Sequence, residues 1–169
     1  AGTLVQKGQL PFVEAAGRLP DVRFVLAGKW LDDAVDRLRA VAGPNVELTG
    51  WVSDERLADL YSRAGAYVQP SRHEGFGLAV AEAMLAGCVP VVMDVTAMPE
   101  VVGDAGVLIA SQDPEAVAAG ISKALAAGPE GARRARERIL TRFPLQIRRD
   151  GILAVVGEAL GEVPRSGSR

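Results

Sequence analysis

The chain has 169 residues, 49% apolar and 24% charged, which suits one globular domain with a sizeable core and excludes a disordered, collagen-like or coiled-coil chain. Nineteen Lys and Arg against twenty-one Asp and Glu leave a net charge of −2, so no global basic field argues for nucleic acid or an anionic bilayer, and any anion site has to be local. The lone Cys88 excludes an intrachain disulfide; with no charged-then-apolar leader and no apolar run near the roughly 20 residues of a bilayer span, a reducing, cytoplasmic setting is expected.

In chain order, Ala1 is not a Met and Gly2-Thr3-Leu4-Val5 already reads as a packed element, so the chain is expected to be a piece of a longer protein. Short apolar, β-branched runs at residues 3–5, 23–27, 46–48, 66–69, 89–93 and 107–109 alternate with stretches of helical period, the signature of a parallel α/β layer fold. Their near-continuous hydrophobicity suits a sheet covered on both faces, and six such strands make a complete doubly wound sheet. Leu10, Val13 and Ala16 mark a first half-buried helix, and Leu57, Leu60, Tyr61 and Ala64 a clearer one, opened by a Ser53 cap with Asp54 and Glu55 behind it. Asp113-Pro114 opens another helix through Val117, Ile121 and Leu125, closed by Gly128-Pro129. Two helical segments end the domain. The first is rich in Arg; the second starts near Pro144 and carries Ile152, Leu153, Val156 and Leu160. Residues 1–163 therefore read as one domain and residues 164–169 as a disordered tail.

The most unusual stretch is Pro70-Ser71-Arg72-His73-Glu74-Gly75-Phe76-Gly77-Leu78, between an apolar strand and a helix at residues 79–87 that is apolar on nearly every face except at Glu82. Such a helix is expected to be buried, which puts Glu82 in or beside the interior. There it is either neutralised by a protein partner or placed to accept hydrogen bonds from vicinal hydroxyls such as those of a ribose. Gly75 and Gly77 flank Phe76 at the turn, where unpaired N–H groups and the helix dipole favour a phosphate or diphosphate; an ordinary βα turn explains the glycines equally well. Gly75-Phe76-Gly77-Leu78-Ala79-Val80 nearly matches a dinucleotide fingerprint, with Asp94 downstream. It follows the fourth strand rather than the first, however, which counts against an oxidoreductase.

Glu74, seven residues, then Glu82, within Pro70-Ser71-x-x-Glu74-Gly75-Phe76-Gly77-Leu78-x-x-x-Glu82-Ala83-Met84-Ala86-Gly87-x-x-Pro90-Val91-Val92, resembles the E-x7-E motif of the group-one retaining glycosyltransferases of the GT-B fold. Lys7-Gly8, Val25-Leu26-Ala27-Gly28, Gly50-Trp51-Val52 and Pro99-Glu100-Val101-Val102-Gly103 are similar to flanking segments of that family, so the resemblance covers almost the whole chain. It implies a Rossmann-like domain, the nucleotide-sugar-binding C-terminal half of such an enzyme, with the N-terminal acceptor domain absent. Residue by residue, it implies that Glu74 is the catalytic carboxylate facing the transferred sugar and that Glu82 holds the ribose. Gly75, Phe76, Gly77 and Leu78 would line the diphosphate, Lys7 would add a positive charge there, and Val52 would touch the base through its backbone. Opposite charges develop at the sugar and at the leaving diphosphate, and a carboxylate with amide donors stabilises both ends of one event.

Two departures from the family pattern stand out. Thr3 occupies the place of a usual Arg, and Thr96-Ala97 replace a commonly glycine-rich pair. His73, the only histidine, is read as a polar neighbour rather than a base, and Asp32-Asp33 as acidic residues at a helix start rather than a metal pair. Seven Arg between Arg133 and Arg149 read as a solvated helical face, with an anionic membrane surface or a partner as the alternative. The expected function is hexosyl transfer from a nucleotide diphosphate sugar to an acceptor in glycan, glycolipid or polysaccharide biosynthesis. No cofactor or metal and no nucleic-acid partner is expected, and the location is cytoplasmic or peripheral at the membrane. The competing reading is a non-catalytic nucleotide-sugar-binding or interaction module.

Overall fold

The computed structural model describes residues 7–29 and 34–144. In chain order these form α1 (Gln9–Ala16), β1 (Phe24–Ala27), α2 (Ala34–Val41), β2 (Val46–Gly50), α3 (Asp54–Arg63), β3 (Ala66–Gln69), α4 (Leu78–Ala86), β4 (Val89–Met93), α5 (Met98–Val102), β5 (Val107–Ile109), α6 (Pro114–Ala126) and α7 (Gly128–Arg142). Every ladder is parallel. β1 pairs with β2, and β3, β4 and β5 follow one another in a second ladder. The described residues thus hold five strands in two ladders where six strands in one sheet were expected. The strand expected at residues 3–5 lies outside the described residues, as do Asp32-Asp33, nearly all of the last helix and the tail.

β4 shows why the strands are apolar throughout. All five of its residues are buried, and the pleat sends successive side chains to opposite faces. Val89, Val91 and Met93 join a core built with Phe12, Val13, Leu38, Val117 and Ile121, from α1, α2 and α6. Val92 joins a second core with Val80, Met84, Met98, Val101 and Ile139, from α4, α5 and α7. Helices therefore cover both faces of this sheet, as a doubly wound fold requires.

Local chemistry sets several boundaries. Ser53 accepts a hydrogen bond from the Arg56 N–H at 3.3 Å and caps α3 as its sequence predicts. Asp113 stands at the N-cap of α6 but makes no side-chain cap bond; its carboxylate accepts instead from the Ser111 hydroxyl at 2.7 Å. Asn45 donates to the carbonyls of Ala16, Leu19 and Val22, which ties the end of α1 to the head of β2. Thr96 takes φ +52, in the left-handed region that favours glycine, so the residue replacing a glycine-rich pair carries backbone strain.

Candidate functional site

In a parallel ladder all strands end on one edge, and the loops after β3 and β4 meet there. The chain leaves β3 at Gln69 and reaches α4 at Leu78 through a loop without regular structure. Gly77, the N-cap of α4, adopts φ +81 and makes no side-chain cap bond. A Cβ there would lie 2.5 Å from Cε of Met98, so glycine lets α5 close over the start of α4. Among the described residues, no backbone N–H from Glu74 to Val80 donates a hydrogen bond to a protein group. Seven consecutive amides leading into the positive end of a nine-residue helix thus have no protein acceptor, and Gly75, Phe76 and Leu78 among them are exposed.

Lys7 arrives at this turn from far away in sequence. Gly8, at φ +70, packs so tightly against the first loop residue after β3 that a Cβ would lie 2.5 Å from the Pro70 carbonyl oxygen. The Ser71 hydroxyl donates to the Lys7 carbonyl at 3.4 Å. These two docks deliver the Lys7 ammonium to the Glu74 carboxylate, Nζ to Oε1 2.6 Å. Glu74 is largely enclosed, its side chain 13% exposed, whereas that of Lys7 is 40% exposed.

Glu82 corrects an expectation: it is exposed, not interior. Val80, Ala81, Ala83 and Met84 form the buried face of α4, which leaves Leu78, Glu82 and Leu85 on an open, partly apolar face. Among the described residues Glu82 has no hydrogen-bond or ion-pair partner. Tyr67 brings the two glutamates into one neighbourhood. Burial raises its hydroxyl pKa most, and Tyr61, Glu74 and Glu82 add to the rise. The Tyr61 hydroxyl is pushed up to about 12, by burial first and then by the Glu82 charge.

Lys7, Glu74, Gly75, Phe76, Gly77 and Leu78 therefore come together, with Glu82 one turn further along α4. Gly75 and Leu78 are exposed, and Phe76 meets Phe143 edge to face, centroids 5.3 Å apart. Val52 is half-buried just beyond β2, beside a Trp51 that is 67% exposed; no described hydrogen bond or ion pair joins it to the turn. His73 is exposed. Sequence reasoning missed Tyr67 and Gln112. Gln112 accepts from Arg72 Nε at 2.7 Å and donates to the Pro70 carbonyl, holding the loop from behind; nothing local to residue 112 signals this.

A cavity of about 630 Å³ lies on the far side of Arg72, between Leu10, Glu14, Val95 and Asp113, and shares only Arg72 with the loop. No three His, Cys, Asp or Glu among the described residues are grouped to hold a metal ion, and no described helix is long and apolar enough to cross a membrane. The Arg-rich helix is more than a solvated face. Arg136 donates to the Leu85 carbonyl at 3.0 Å, and Arg138 to the carbonyls of Glu100 and Val101, at the ends of α4 and α5.

Residues 1–127 match the family described as glycosyl transferases group 1. The chain belongs to that family. It is 40% identical over 126 residues to O-antigen chain mannosyltransferase B of Escherichia coli, covering 72% of this chain and 32% of that protein. It is 33% identical over 132 residues to the GDP-mannose:cellobiosyl-diphosphopolyprenol alpha-mannosyltransferase of Xanthomonas campestris, covering 72% and 35%. Among solved structures, HepE of Anabaena in complex with UDP and glucose superposes with a TM-score of 0.81 at 22% identity, over 94% of this chain and 47% of that one. The fold is thus the Rossmann-like α/β fold of GT-B glycosyltransferases, and the group 1 chain spans about a third of the length of these curated relatives.

Proposed function

We propose that the chain is the donor-binding half of a retaining glycosyltransferase, which transfers a hexosyl group, with mannosyl favoured by the relatives, from a nucleotide diphosphate sugar to an acceptor in glycan, glycolipid or polysaccharide biosynthesis. The observation that carries this reading is the run of unpaired amides from Glu74 to Val80 with the Lys7 ammonium beside it. Gly75, Phe76, Gly77 and Leu78 bind the diphosphate through those amides, and Lys7 adds a full positive charge beside them. Glu82, exposed and unpartnered, accepts the ribose hydroxyls, and the backbone at Val52 meets the base. As the glycosidic bond lengthens, the sugar becomes oxocarbenium-like and the diphosphate gains charge; Glu74 stabilises the first and the amides with Lys7 the second.

The acceptor is bound by an N-terminal domain of the same enzyme. The proposal places the full-length protein in the cytoplasm with peripheral membrane contact, in keeping with the polyprenol-linked acceptor in the name of the Xanthomonas relative. It assigns the diphosphate charge to protein groups rather than to a metal ion.

Calorimetric titration of the 169-residue chain with GDP, UDP, ADP and TDP tests the reading. One of them is expected to bind, with or without EDTA. Glu82→Ala is expected to weaken that binding about 10- to 100-fold, as removal of hydrogen bonds to a charged group worth about 1.5–3 kcal/mol implies. Its melting temperature is expected to stay unchanged, because Glu82 supports no described contact. A folded chain that binds none of the four overturns the assignment.

A further inference from the structure

The donor reading gives Lys7 and Glu74 different ligands, the diphosphate and the sugar, yet the structure pairs them with each other at 2.6 Å. That pairing is held from the backbone side, by Gly8 against Pro70 and by the Ser71 hydroxyl on the Lys7 carbonyl. Resting on that reading, we propose that the Lys7–Glu74 ion pair is an exchange element: the diphosphate takes the Lys7 ammonium from Glu74, and the freed carboxylate takes the hydroxyls of the sugar.

Physical chemistry makes the exchange selective for the intact donor. Glu74 is mostly shielded from water, so stripping away its cation is unfavourable unless another donor replaces it. A nucleotide sugar brings hydroxyls to that position. A nucleoside diphosphate draws the ammonium away and leaves the carboxylate uncompensated. Lys7, with the more exposed side chain of the two and three rotatable donors, is the partner able to turn toward an incoming phosphate. The pair thus keeps Glu74 oriented in the empty site and binds donor in preference to the nucleoside diphosphate product.

The test is a double-mutant cycle read by calorimetry with GDP and GDP-mannose, or with the UDP pair if UDP is the nucleotide that binds. Glu74→Gln is expected to tighten GDP about 3- to 10-fold, because Lys7 no longer has to leave a charged partner, and to weaken GDP-mannose by a similar factor. In a Lys7→Met background, Glu74→Gln is expected to change GDP affinity less than about 2-fold. Lys7→Arg, which keeps the charge, is expected to restore most of the coupling, and thermal melting checks that each variant is folded. Simple repulsion between Glu74 and the diphosphate predicts the opposite: tightening by Glu74→Gln that persists or grows without Lys7. That result, or no tightening in the unaltered background, overturns the exchange. Loss of all nucleotide binding by the unaltered chain is a separate outcome, which removes the donor-site reading and the exchange with it.

Discussion

Cys88 and Tyr61 meet behind the candidate site, where the Cys88 thiol donates to the Tyr61 carbonyl at 3.2 Å. Burial pushes the thiol up from 9.0 to about 11, and burial with the Glu82 charge pushes the Tyr61 hydroxyl from 10.0 to about 12. Both groups stay neutral in the fold while the unfolded chain ionises first, so the unfolded state binds fewer protons at alkaline pH. Stability is therefore full below pH 9.0 and falls as pH rises through about 11. Denaturant melts between pH 8 and 11 are expected to show this fall, and Cys88→Ala to remove the part that sets in near pH 9.0, leaving the tyrosine part that sets in near pH 10.0. At the same scale, the placement of Glu74 and Glu82 was legible as a spacing, since seven intervening residues put one carboxylate before a helix and the other on its second turn. The exposure of Glu82 was not. Alanines and leucines all read as core, and only the packing of α4 against β3, β4 and α7 selects which of its faces is covered.

Among the elements, α7 acts as a clasp. Its Ala135 and Ile139 sit in the second core, while Arg136 and Arg138 reach the carbonyl ends of α4 and α5. The Arg138 guanidinium also lies on Gly103, where any Cβ would collide with it. Arg138→Ala is expected to cost about 1–3 kcal/mol in chemical denaturation, through two charge-assisted hydrogen bonds and the carbonyls left behind. Arg138→Lys is expected to recover less than about half, because an ammonium cannot fork between two carbonyls while lying flat on a glycine. Strands β3, β4 and β5 match the residues read from sequence, since buried parallel strands are continuous apolar runs. The arginines did not announce their partners, because those lie 37 to 51 residues away along the chain.

For the whole molecule, the decisive fact is coverage: the chain spans 32% of the Escherichia coli relative and 47% of HepE. Gly75, Phe76, Leu78 and Glu82 are exposed around the half-buried Glu74, so a second body is needed to enclose a reacting sugar and exclude water. The 169-residue chain is therefore expected to bind nucleotide yet transfer no sugar, checked by product formation from GDP-mannose with and without the remainder of the full-length enzyme. Transfer by the chain alone overturns the assignment of acceptor binding to another domain.

The sequence by itself determined the alternation of strands and helices, the parallel class of the sheet and the turn that opens α4, because each rests on short-range periodicity, glycine and capping chemistry. Tertiary structure alone decided that Lys7 meets Glu74 across 67 residues, that Glu82 faces outward and that two arginines close helix ends. Such contacts depend on which faces of distant elements pack together, and no local pattern encodes that.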